Sequence, residues 1–157
     1  MKQLHLCQRV ALEMTLRAGE ELTKAVRALP PEGLTWKPHA AARHALSLMG
    51  HCAVTNLVYA CVLANAPLPF RSQAESDDAI NRCDTLSKAS ASLQHSLTRL
   101  CDTLIALPAD RLTEMVLLPD SERMPAALAM LVPANHMQYH VGQINYLQTL
   151  MGDQEYH

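Results

Sequence analysis

Aromatic residues, glycine and charge are all scarce in this sequence, and each shortage excludes something. Aromatics make up 4% of the 157 residues, with one Trp and one Phe, and there are five glycines. A sheet protein needs β-branched and aromatic strands and turn glycines, so the composition leans all-α. The net charge is -2. Neither a basic patch nor a long run of like charge occurs, which argues against nucleic acid as a partner. Five cysteines (Cys7, Cys52, Cys61, Cys83, Cys101) form no CxxC pair. An odd count in a chain of this size fits free thiols in a reducing cytoplasm. The opening MKQLHLCQRVALEM puts Arg9 and Glu13 where a secretory signal needs an apolar run. Also missing are a GxSxG nucleophile turn, a glycine-rich phosphate loop and the ExxH pairs of di-iron bundles.

What remains is helical and long enough for one domain, residues 1–157. With 49% hydrophobic residues the chain is globular. The first predicted helix runs from about Lys2 to Leu29. Leu4, Cys7, Ala11, Met14, Ala18, Leu22, Ala25 and Leu29 recur on one face, and Pro30-Pro31-Glu32-Gly33 ends it. The second runs from about Ala41 to Asn65 and stops at Ala66-Pro67. The third starts near Ser76 or Asp77 and runs to Leu107 before Pro108. An irregular connection is expected over 108–124. The fourth runs from Pro125 to Met151 with Gly152 as its cap, and Pro133 predicts a kink or short break. These lengths make a four-helix bundle.

The second and fourth helices are unusual. No Asp, Glu, Lys or Arg lies between Arg43 and Arg71, or from Met124 to Gly152. Each stretch exceeds the roughly 20 residues that span a bilayer. The fourth would nevertheless carry Asn135, His136, Gln138, His140, Gln143, Asn145 and Gln148 into lipid, which is expensive. The two are therefore expected at the centre of the bundle, without a membrane, with an outer face available for a homodimer.

On the fourth helix His136 and His140 stand one turn apart on one face. Neutral imidazole is the commonest metal-ligating side chain. A third ligand is expected from a facing helix, and His51 is the central histidine of the second. Three histidines would leave coordination positions open to water or substrate. A buried histidine is more often a hydrogen-bonded core residue, but the uncharged setting and the facing His51 favour the metal. Pocket candidates are Ser47 and Thr55, one turn either side of His51, and Gln143, on the face of His136 and His140. Gln143 is expected to hydrogen-bond a ligand or pocket water, or to make an interhelical amide contact. His44 falls at the pocket mouth or, better, in the first turn of its helix. His95 is expected in solvent, and Trp36 packed across the bundle end.

WKP at 36–38, a helix carrying His51, and HMQYHVGQINYLQ at 136–148 together resemble the DinB family of bacterial metal-binding bundles, also called DinB/YfiT-like. The resemblance spans nearly the whole chain. It implies an up-down-down-up bundle with a long crossover, frequent dimers, and a divalent metal, zinc or nickel, on His51, His136 and His140. Some relatives are transferases or isomerases using a low-molecular-weight thiol, which the metal activates as nucleophile. Two departures stand out. Val141 follows His140 where the family commonly reads H-R-G-Q. His44 and Ser47 stand near the places where a Ser and a Glu often precede the second-helix histidine. The lost Arg and Glu weaken the thiol-transferase expectation more than the metal. The expected function is a metal-dependent transferase or hydrolase acting on a small molecule. The rival is a non-catalytic bundle with a structural or metal-free histidine cluster, or one that binds an apolar ligand or partner chain.

Overall fold

The computed structural model describes residues 4–155 and 157. Helix α1 is Leu6–Ala28, α2 Ala45–Ala64, α3 Gln73–Asn81, α4 Leu86–Ala106, α5 Ala126–Ala129 and α6 Val132–Leu150. Two short 3-10 turns and one β-hairpin complete the described elements. The expected start of the first helix at Lys2 lies outside the described residues. The buried stripe of α1 passes through Thr15 and leaves Met14 37% exposed.

Helices α1, α2, α4 and α6 form an all-α four-helix bundle, and their contacts fix its direction. Gln138 bonds Glu21 and Gln148 bonds the carbonyl of Ala25, so α1 and α6 are parallel. Asn56 meets Ser96 and Arg111 reaches the carbonyl of Leu63, so α2 and α4 run together. Gln8 reaches Leu104 and Leu107, so α1 opposes α4. The order is up-down-down-up. The parallel step from α2 to α4 needs a crossover, which residues 65–85 supply.

That crossover contains the main departure from expectation. The third helix is two. Ser72 caps α3 by accepting from the Glu75 N–H, and Thr85 caps α4 by accepting from the Lys88 N–H. An N-cap residue leaves helical geometry, so Thr85 breaks an apolar stripe that is otherwise continuous. The fourth helix also divides, just ahead of Pro133, which sits in the first turn of α6. The irregular connection contains a hairpin, β1 Met115–Leu117 against β2 Arg123–Pro125, with Val116 opposite Met124. Strands of three residues are too short to show alternation.

Two apolar clusters fill the bundle. One centres on Leu22, Met49, Leu93 and Ile144, the other on Leu63, Leu100, Leu104 and Met130. Buried Thr15, Asn56 and Ser96 are polar core positions. Helix α2 passes a length and hydropathy test for a membrane span, but 56% of that stretch is buried in the bundle. Of its twenty residues only Ala64 is exposed. Its lack of charge is therefore explained by α3, α4 and α6 packed around it.

Candidate metal centre

Helices α2 and α6 cross with opposite direction and bring three histidines together. His51 sits in the second turn of α2, and His136 and His140 face it from α6. The Nε2 atoms of His51 and His136 are 3.2 Å apart, and those of His136 and His140 are 3.1 Å apart. One ligand atom from each ring lies within 4.8 Å of the others. The rings stand edge-on to one another, with interplanar angles of 65°, 78° and 85°. Tetrahedral zinc with bonds near 2.05 Å sets its nitrogen ligands about 3.3 Å apart. Two of the three nitrogen separations match that spacing, and the third lies within 4.8 Å.

Protonation supports the fit. The Nδ1 of His140 lies 2.6 Å from the Gln143 side-chain oxygen. An amide oxygen only accepts, so the His140 proton sits on Nδ1 and its Nε2 presents a lone pair to the centre. Gln143 is itself steadied by donating to the Tyr139 hydroxyl at 3.3 Å. The Nε2 of His136 faces two other Nε2 atoms, and one proton can be well aimed at only one of them. Its Nδ1 is buried without a partner. Without a cation the trio is under-satisfied in either tautomer, at a cost of about 1–3 kcal/mol. A dication accepts all three lone pairs.

All three rings are neutral near pH 7. Burial, followed by the Arg43 charge and the neighbouring imidazoles, pushes His51 down to about 4. Burial, then His140 and Arg43, brings His136 to about 4. His140 is lowered by burial, against the opposing effect of its Gln143 bond. The sign for stability follows from these directions. Between about pH 4 and 6.5 the unfolded chain binds more protons than the folded chain. The metal-free protein should therefore lose stability as pH falls through that window. Thermal melts of chelator-treated protein should show Tm dropping from pH 6.5 to 5; a flat or rising Tm would contradict the assignment.

A cleft of about 740 Å³ opens beside the trio, bounded by the 38–43 loop and α6 and reaching His51, His140 and Gln143. A second, about 450 Å³, approaches His51 from the α3 side and includes Thr55. His44 and Ser47 line neither cleft. His44 is the N-cap of α2, its Nδ1 accepting from the Ser47 N–H at 3.1 Å. It therefore sits one residue short of the first turn expected for it, because α2 begins at Ala45 and not near Ala41. His95 is exposed. Trp36 is 37% exposed, a correction to the packed position expected of it. The thiol of Cys52 is fully buried and pushed up by that burial, so it supplies no thiolate. Arg43 also lines the cleft, which the sequence does not signal. It precedes the helix, and only the folded loop places it there.

Gln143 carries a prediction. Holding a ligand ring in one tautomer is worth 10–100-fold in metal affinity. Gln143→Leu should weaken zinc binding by about that factor, read by competition with a chromophoric chelator. Unchanged affinity would reduce Gln143 to an interhelical spacer.

An up-down-down-up bundle with three imidazoles converging between two of its core helices has the architecture of a metal-site helical bundle. The chain belongs to the DinB superfamily, whose pattern residues 14–144 match. Among solved structures, YfiT from Bacillus subtilis, described as a probable metal-dependent hydrolase with an unusual four-helix bundle topology, is similar with a TM-score of 0.74. The two are 18% identical over 97% of this chain and 92% of that one. A conserved protein from Enterococcus faecalis has a TM-score of 0.73 at 13% identity, covering 92% and 97% of the two chains. A mycothiol-dependent maleylpyruvate isomerase gives 0.74 at 12% identity over 87% of this chain and 60% of that one. The chain thus spans about three-fifths of the isomerase's length. At these identities the likeness establishes the fold. No protein of curated function matches the sequence.

Proposed function

We propose that the chain binds one divalent ion, zinc or nickel, on His51, His136 and His140, and uses it as a metal-dependent thiol transferase or hydrolase on a small molecule. The observation that carries this reading is the convergence of three neutral imidazoles beside an open cleft. No fourth His, Cys, Asp or Glu joins the cluster among the described residues, which leaves coordination free for substrate. When bound, the ion supplies Lewis acidity, lowering the pKa of a thiol or water or polarising a carbonyl. The protein's own groups do the rest. Gln143 holds the His140 proton on Nδ1, Tyr139 steadies Gln143, and the cleft walls orient the substrate.

A low-molecular-weight thiol is the proposed co-substrate of the transferase form. Support comes from the buried, unreactive Cys52, which leaves the nucleophile to an external group. The test is turnover of thiol-acceptor and ester or amide substrates by zinc- and nickel-loaded protein, with His51→Ala as control. Activity that survives in His51→Ala would sink the assignment, and no turnover on either metal would favour a structural site. A homodimer and a cytoplasmic location belong to the same proposal. The exposed α6 positions outside the cleft, among them Asn135, Thr149 and Leu150, carry no charge, which supports the dimer. Light scattering should give twice the 17.3 kDa chain mass; a monomer at micromolar concentration would refute it.

A further inference from the structure

The cleft beside the histidines has an unbalanced charge. Among its lining residues Arg43 is cationic and none is acidic. The two helices that supply the histidines add no charge, because α2 and α6 contain no Asp, Glu, Lys or Arg. Arg43 is exposed and forms no ion pair with a carboxylate among the described residues. It lines the same cleft as His51 and His140, and its charge bears on all three imidazoles.

A divalent ion on three neutral ligands keeps its full charge, since nothing in such a donor set is anionic. Adding Arg43 gives a pocket of about three positive charges with no carboxylate lining it. Charge this concentrated, in a partly desolvated cleft, draws an anion from solution. A guanidinium with a planar fork of free donors matches a carboxylate in shape as well as charge. Apart from Gln143, the remaining walls are largely apolar or phenolic, among them Leu48, Leu147, Tyr139 and Tyr146. They suit a carbon skeleton with a charged end.

Resting on the metal reading above, we propose that the cleft binds small carboxylate-bearing substrates, with Arg43 as the counter-charge and the histidine-held ion as the second point of attachment. Arg43 is a binding residue in this scheme. It reaches the cleft from the loop before α2.

Isothermal titration calorimetry with phenylacetate and its uncharged amide, phenylacetamide, tests this. The two share shape and differ in charge. Zinc-loaded wild-type protein should bind the acid at least tenfold more tightly than the amide. Arg43→Gln, an exposed substitution outside the core, should cut that preference several-fold, and Arg43→Lys should restore part of it. The same titration on chelator-treated protein isolates Arg43, where a preference of about threefold should persist and vanish in Arg43→Gln. Equal affinity for acid and amide in both forms, or a preference untouched by Arg43→Gln, overturns the anion site. Failure of the protein to take up zinc, with the Arg43-dependent preference intact, would remove the metal reading and leave the anion site standing.

Discussion

Replacing His140 with alanine should abolish stoichiometric metal binding. Structural zinc in small domains is worth about 10–16 kcal/mol across its ligands. One ligand of three is then several kcal/mol, and affinity should fall on the order of a thousandfold. Stability gives a second readout. An ion present at a thousandfold excess over its Kd stabilises the folded chain by about 4 kcal/mol. For a chain of this length that is a Tm rise on the order of 10 °C. Zinc should raise the Tm of the wild type by about that much and leave His140→Ala nearly unmoved. His51→Ala should behave alike, although His51 sits on a different helix. The two variants together separate a shared ligand set from a local packing defect. A variant that still shows the wild-type zinc shift would show that its imidazole is not a ligand.

The second large effect lies far from the site. Gln8 is 1% exposed and ties the start of α1 to the end of α4. Its amide nitrogen donates to the carbonyls of Leu104 at 2.7 Å and Leu107 at 2.9 Å. Its oxygen accepts from the His5 N–H at 3.0 Å, one half of a capping box. The last carbonyls of a helix have no partner within it, so Gln8 completes the end of α4. Gln8→Ala leaves two buried acceptors unpaired and should cost about 2–4 kcal/mol. Tm should drop by on the order of 10 °C, while zinc uptake at room temperature stays at the wild-type level. A Tm within two degrees of wild type would show that water replaces the amide.

Much of the fold could be read from helical periodicity and proline punctuation, which locate α1, α2 and the stop at Pro108. Local capping chemistry was the weak point. Thr85 begins α4 inside an unbroken apolar stripe, and a single hydroxyl outweighs that stripe because it satisfies a backbone N–H that the stripe cannot. The hairpin at 115–125 was invisible for a different reason, since its pairing lies between segments too short to carry a pattern. Met14 and Thr15 show the limit of hydrophobicity itself. The stripe follows the geometry of α1, and that geometry buries the threonine.

The site was legible where one helix carries two histidines four residues apart, and where an uncharged helix carries a third. Gln143 followed from the same spacing. Arg43 did not, because a loop residue has no periodicity to place it. His44 shows the converse. Its spacing from His51 suggested the pocket, but at the first position before a helix its ring serves the backbone.

Metal content of purified, tag-free protein by elemental mass spectrometry tests the central claim most directly. The account predicts close to one zinc or nickel per chain, retained through gel filtration. Protein that carries no metal, and takes up neither zinc nor nickel on reconstitution, would contradict it and make His51, His136 and His140 a buried polar network.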